Sequence, residues 1–170
     1  MFAGPADRQS PAADDVAYVV GQLSSMETWS EIQAILRASV RQLIGSDGFA
    51  LILREDDLCF YVEEDAIGPL WKGKKFSMAA CISGWCMLHR RTVSIPDIAM
   101  DPRIPHDLYV GTFVRSLIMA PIVAERSERS IGAIGSYWAR IYAASPDQIT
   151  TLERFARAIG TALERVLPAR

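Results

Sequence analysis

Asparagine is absent from the 170 residues of this chain, and histidine occurs only as His89 and His106. Cysteine is scarce too. Cys59, Cys81 and Cys86 are an odd number and lack the CxxC spacing of a zinc site, so reduced thiols in a cytoplasm are the expectation. No apolar run approaches the roughly 20 residues that a membrane helix needs. Met1 to Ala13 lacks the basic start and apolar stretch of a secretory signal. Neither sign of charge dominates: 18 basic and 20 acidic residues are interspersed, for a net charge of −2. The dense basic cluster Lys72, Lys74, Lys75 sits beside a glycine and reads as a solvated turn. A nucleic-acid partner and insertion into a membrane are therefore not expected.

What is present is apolar residue in quantity. Half the residues are hydrophobic, and the length suits one domain with a single well-developed core. Residues 1–10 are small and polar and read as a flexible tail; residues 11–167 read as the domain. A first helix is expected over about 11–26, with Val16, Val19, Val20 and Leu23 on one stripe. Thr28-Trp29-Ser30-Glu31 matches a capping box. It opens a second helix whose inner face is Ile32, Ile35, Leu36, Val40, Leu43 and Ile44, stopping at Gly45. Ser145-Pro146-Asp147-Gln148 opens the last helix, over 146–167, with a cap, a proline at the first position and a glutamine closing the box.

Between these helices the periodicity is that of strands. Phe49 to Leu53 and Leu58 to Val62 form a hairpin, after which Glu63-Glu64-Asp65 leads into a loop. Phe76 to Met78 is a possible third strand. Cys81 to Arg90 reads as a short helix, Thr92 to Ile98 as a strand, and Ile104 to Phe113 as a loop with a helix. Leu117 to Ala124 and Ser130 to Trp138 form a second hairpin. Both hairpin connections are too short for parallel crossovers, so an antiparallel sheet of five or six strands is expected.

The segments Trp71-Lys72-Gly73-Lys74-Lys75-Phe76, Cys81-Ile82-Ser83-Gly84-Trp85 and Ser94-Ile95-Pro96-Asp97-Ile98 occur in that order. They are followed by Asp101-Pro102-Arg103-Ile104-Pro105, then Arg115 through Ile122, then Ser130-Ile131-Gly132-Ala133-Ile134. This succession resembles the second half of a GAF domain. It is most similar to the N-terminal GAF domains of bacterial HWE-type sensor histidine kinases, over about residues 27–166. The resemblance implies an α+β, PAS-related fold. Terminal helices cover one face of the sheet, and loops and short helices of residues 66–113 roof a pocket on the other. It also implies a sensory input domain without catalysis of its own, passing a signal through its terminal helices to a kinase or other output. No phosphoacceptor box or ATP lid is present in the chain.

For the pocket the candidates are Trp71, Cys81, Trp85, Cys86, Asp97, Tyr109, Phe113, Arg115 and Trp138, with Tyr137 as a further aromatic of the sheet. Aromatic walls with a few placed polar groups are the usual chemistry of small-molecule sites. The plain alternatives are core filling for the aromatics, a turn cap for Asp97 and an ion pair for Arg115. Cys81 falls at the start of the short helix, where free N–H groups stabilise a thiolate, so it should be more reactive than the strand residue Cys59.

Specialised members of the resembled family set further limits. Free methionine-(R)-sulfoxide reductases of GAF type carry a cysteine at a glycine-led position like Gly84-Trp85-Cys86. Here their Cys-Gly reads Cys86-Met87, and no cysteine follows. A chain without asparagine cannot carry the asparagine-led cyclic-nucleotide signature, and the lack of a later cysteine weighs against bilin attachment, so neither ligand is expected. A lone histidine is more often a cap or surface residue than a haem ligand. The ligand is thus left unassigned.

Two readings lead, a ligand sensor and an interaction module whose pocket is filled by its own side chains, with the sulfoxide reductase as a minor alternative; an open cavity marks the first and a filled interior the second. The apolar stripes of the first and last helices lead to the expectation of a homodimer through 11–26 and 150–167. The competing arrangement has the first helix fold back on its own chain.

Overall fold

The computed structural model describes residues 13–168; the expected tail and the first two residues of the expected first helix lie outside the described residues. Helix α1 (Ala13–Ser25) is followed by α2 (Trp29–Ile44). The capping box at its start is made: Thr28 Oγ1 accepts from the Glu31 amide, and the Glu31 carboxylate accepts from the Thr28 amide. Gly45, at φ 77°, ends α2 in the left-handed conformation that glycine adopts without a steric penalty. Strands β1 (Gly48–Glu55) and β2 (Leu58–Ala66) then form the first hairpin, and β3 (Lys75–Ser77) adds an edge. A 3₁₀ turn (Met78–Ala80), α3 (Ile82–His89), β4 (Val93–Ile95), a second 3₁₀ turn (Ile98–Met100) and α4 (His106–Tyr109) make the insertion. The second hairpin, β5 (Ser116–Val123) and β6 (Ser130–Trp138), leads into α5 (Pro146–Val166).

The six strands form one antiparallel sheet in the order β3-β2-β1-β6-β5-β4. Two cores lie on its two faces. On one, Phe49, Leu51, Ile118, Ile122, Ile134 and Trp138 meet the inner stripes of α2 and α5. On the other, Ala50, Ile52, Tyr61, Leu117, Met119 and Tyr137 meet α3, α4 and the loops around them. The α+β architecture with helices on one face and a roof on the other is as expected.

Helix α1 folds back onto α5 and α2, burying Val16, Val19 and Leu23 in the helical core of its own chain. Arg165 near the end of α5 locks this arrangement by donating to the Leu23 and Met26 carbonyls that α1 leaves open. Val16, Val19 and Leu23 of the expected dimer stripe are thus covered from within the chain, while Val20 and Val166 stay partly exposed.

Two sequence expectations need correction. Glu63-Glu64-Asp65 does not begin a loop but continues β2 to Ala66, because the carboxylates find partners there. Glu63 is held by Arg37, Gln33 and Lys72, and Asp65 faces Arg41 at 3.5 Å. A bulge at Val62 places both Val62 and Glu63 on the helical side, leaving Cys59, Tyr61 and Glu64 toward the roof. The strand expected over 92–98 is only Val93–Ile95, since Pro96 has no amide to donate and Asp97 caps the 3₁₀ turn that follows.

Candidate ligand pocket beneath the roof

The sheet face under the roof is built by strand alternation. Tyr61 on β2 and Tyr137 on β6 rise from the sheet, and Tyr109 comes down from α4. Trp71, from the loop between β2 and β3, fills the space between them. Its ring meets Tyr61, Tyr109 and Tyr137 edge-on, with centroids 5.4, 5.0 and 5.6 Å away. The indole N–H donates to the Leu108 carbonyl at 2.9 Å, tying the loop to the end of α4. The loop carrying Trp71 is held in turn by Glu64, whose carboxylate accepts the amides of Leu70, Trp71 and Lys72. The interior beneath the roof is thus closed by the chain's own side chains.

A cleft of about 290 Å³ remains above Trp71 at the surface. The β2–β3 loop and α4 form its walls, with Leu70, Trp71, Phe76 and Leu108 as apolar lining and Lys74 and Asp107 as charged groups.

Beneath Trp71 lies a polar kernel. Tyr61 Oη and Ser83 Oγ are 3.0 Å apart, and Ser83 Oγ is 3.3 Å from Cys81 Sγ. Cys59 and Cys81 bring their sulfurs to 3.2 Å. Cys81 Sγ donates to Cys59 Sγ and also lies 3.4 Å from the Ser77 carbonyl, which accepts from it; the contact between the thiols pushes Cys59 up and draws Cys81 down. Desolvation opposes the effect at Cys81, while the Ser83 hydroxyl and the amides of Gly84 and Ser83 reinforce it. Cys81 is the residue just before α3, close to the free amides of the helix start, but its thiol makes no capping hydrogen bond to them. Burial raises all three tyrosines well above their ordinary range, so they are neutral hydroxyls at pH 7. Tyr137 Oη is buried and has no hydrogen-bond partner among the described residues, folded back over Gly135.

Of the residues expected to line the pocket, Trp71, Cys81, Cys86 and Tyr109 are buried in the roof-side core, with Trp85 and Phe113 packed against it. They do not all share one space. Cys86 donates to the Arg91 carbonyl at 3.1 Å and is pushed up by burial, which makes it an inert structural thiol. Trp85 stacks on His89 at 4.1 Å and lies under the Arg103 guanidinium at 4.6 Å. Asp97 accepts from the Ala99 amide and caps a turn, as its plain reading holds. Arg115 is exposed. Trp138 belongs to the opposite face: it is buried among the helices and donates to the Gly45 carbonyl at 3.1 Å. The strand period explains this, because residues 137 and 138 point to opposite sides of β6. His89 and His106 are both exposed.

Sequence reasoning missed Tyr61, Ser83 and the approach of Cys59 to Cys81. The alternation of β2 puts 59 and 61 on one face and was available as a signal. The fold of residues 77–83 over that face has no local signature.

The GAF domain family matches residues 28–164, and the chain belongs to it. Solved structures agree on the fold. A free methionine-R-sulfoxide reductase from Neisseria meningitidis, in complex with its substrate, superposes with a TM-score of 0.80 at 14% identity, covering 98% of this chain and 96% of that one. The GAF domain of a phosphoenolpyruvate-protein phosphotransferase from Acinetobacter gives 0.76 at 12% identity, with 89% and 91% covered. The corresponding GAF domain from Coxiella burnetii gives 0.79 at 9% identity, with 93% and 95% covered. A comparison with curated proteins yields no significant match. At such identities these likenesses speak for the fold alone.

Proposed function

We propose that this GAF domain is a non-catalytic input module of bacterial signal transduction, of the kind that precedes a sensor histidine kinase. In this reading it takes a small molecule at the roof and transmits through its terminal helices. The observation that carries the reading is the contrast between the two cores. The polar groups on the helical side are few and scattered, Ser136 Oγ and the ion-paired Glu63 among them, whereas the roof core gathers three tyrosine hydroxyls, a serine and two thiols around Trp71, with Tyr137 Oη unpartnered among the described residues. Leaving a buried hydroxyl unpaired costs about 1–3 kcal/mol, and a ligand that satisfies it recovers that cost. Withdrawal of Trp71 would join the surface cleft to this kernel, and the Trp71–Leu108 hydrogen bond makes that movement also a movement of α4.

Two states of the roof would shift an equilibrium only for a ligand with different affinities for them. Trp71 is that difference: its ring and a ligand cannot share the space. Cys86 speaks against a reductase role, since its thiol is buried, raised and bonded to backbone carbonyls. Native mass spectrometry of freshly purified protein tests the reading. A retained small-molecule adduct, lost in a Tyr137→Phe variant, is the expected result. Protein that carries no adduct and gains none from a metabolite library would favour the second reading, an interaction module; the closed interior around Trp71 is the observation on its side.

A further inference from the structure

The 3.2 Å approach of Cys59 and Cys81 is the least expected contact in the molecule. It joins β2 in the sheet to the residue that opens α3 in the roof, two elements also linked by the Tyr61–Ser83 hydrogen bond. Both cysteines are free and buried. Cys59 is fully enclosed, whereas Cys81 is 6% exposed and directly follows the exposed pair Ala79–Ala80. Cys81 is thus the residue of the pair that reaches the surface at all. It sits at the start of α3, 3.3 Å from the hydroxyl of Ser83 and 3.4 Å from the Ser77 carbonyl. Cys86, by contrast, is bonded to the Arg91 and Met119 carbonyls and stands apart from the pair.

We propose that Cys59 and Cys81 are a reversible dithiol–disulfide site, oxidised by small hydroperoxides, which staples the roof to the sheet. A disulfide needs the sulfurs at about 2.05 Å, so a shift of roughly 1.2 Å closes the bond. The Cys81 thiolate attacks the terminal oxygen of the hydroperoxide; the O–O bond breaks, and the leaving oxygen takes a proton to become alcohol or water. Cys81 is now a sulfenic acid. The Cys59 sulfur attacks the Cys81 sulfur, and hydroxide departs with the proton that Cys59 gives up, as water. Two thiols and one hydroperoxide thus become one disulfide, one water and one alcohol, or two waters when the oxidant is hydrogen peroxide. A dithiol reductant reverses the bond through exchange. Oxidation removes the thiol hydrogen at Cys81 and leaves Tyr61 Oη as the hydroxyl partner of Ser83 Oγ in the kernel. The bond itself stands on the thiol geometry. Its use as a signal rests on the sensory reading above.

The test uses the full chain, reduced, freed of reductant and treated with a small molar excess of hydrogen peroxide. The expected result is an intact mass lower by two hydrogens, with non-reducing peptide mapping that joins the Cys59 and Cys81 peptides within one chain. In the Cys59→Ser variant the resolving thiol is gone, and Cys81 should accumulate as a sulfenic acid trapped by dimedone. The Cys86→Ser variant should behave as the natural chain. A map of the natural chain in which Cys59 and Cys81 stay unlinked, or in which the link runs to Cys86 or to a second chain, overturns the proposal. That map decides the matter even if a variant fails to fold. Absence of the bond in protein that still carries a small-molecule adduct refutes this site and leaves the sensory reading standing. The bond in protein that never binds a ligand does the reverse.

Discussion

Glu63 is the residue whose surroundings ask most of it. Its side chain is 1% exposed, yet it stays ionised among Lys72, Arg37 and Gln33. Burial alone would raise this carboxyl; the bonds from Lys72, the Glu64 amide and Arg37 outweigh it and hold the group below the ordinary range. A depressed folded value means that the contribution to stability is full above the unfolded value and is lost as pH falls through the folded one. Glu63→Gln should therefore cost about 1–3 kcal/mol at pH 7, by the scale of a charged buried hydrogen bond. The gap between variant and natural protein should narrow in acid. Urea unfolding at pH 7 and at pH 3 measures both, and a gap that does not narrow would remove the carboxylate from this role. Gly84 is a second such position. A Cβ there would lie 1.9 Å from the Met78 carbonyl oxygen, which is backbone and cannot swing away. Gly84→Ala should push α3 off its 3₁₀ turn and destabilise by about 3 kcal/mol or more, read as a lower urea midpoint with an unchanged m-value. In the sequence Gly84 is one glycine of a short helix; only the fold shows what it touches.

At the scale of elements, the parts written by local chemistry were legible and the parts written by long-range contact were not. The α2 and α5 boundaries were readable because a capping box is a four-residue event. The reach of β2 was misjudged because Glu63 and Asp65 are stabilised by Arg37 and Arg41, on a helix more than twenty residues earlier. Residue type alone points Trp138 to the pocket, whereas the strand period puts it on the other face. Gln148 shows how a local motif also does tertiary work. Besides accepting from the Ser145 amide, it accepts from Tyr142 Oη and donates to the Ile44 carbonyl at the end of α2. Ser145→Ala should cost about 1 kcal/mol, the worth of a cap. Gln148→Ala should cost more, about 1–3 kcal/mol, because it also leaves an interior carbonyl unpaired. Equal losses in denaturant titrations would mean that the link to α2 carries no weight.

For the molecule as a whole, the question is whether α1 belongs to its own chain or to a partner. Its stripe of Val16, Val19 and Leu23 is buried against α5 and α2, and Arg165 holds its end, while Tyr18 faces solvent at 66% exposure. An aspartate at position 19 would bury an unpaired charge in that seam, among the most damaging of single changes. Val19→Asp should thus lower the unfolding midpoint by the same amount at every protein concentration, because a fold within one chain has no mass-action term. Tyr18→Asp, on the open face, should change stability by no more than about 0.5 kcal/mol. A two-fold contact through the helices would behave otherwise. The natural protein's midpoint would rise with concentration, Tyr18→Asp would abolish that rise, and sedimentation at micromolar concentration would show the dimer dissociating. If Val19→Asp destabilises equally from low to high micromolar protein, α1 is a layer of the domain, and any signal it relays must begin in the helical core on which it rests.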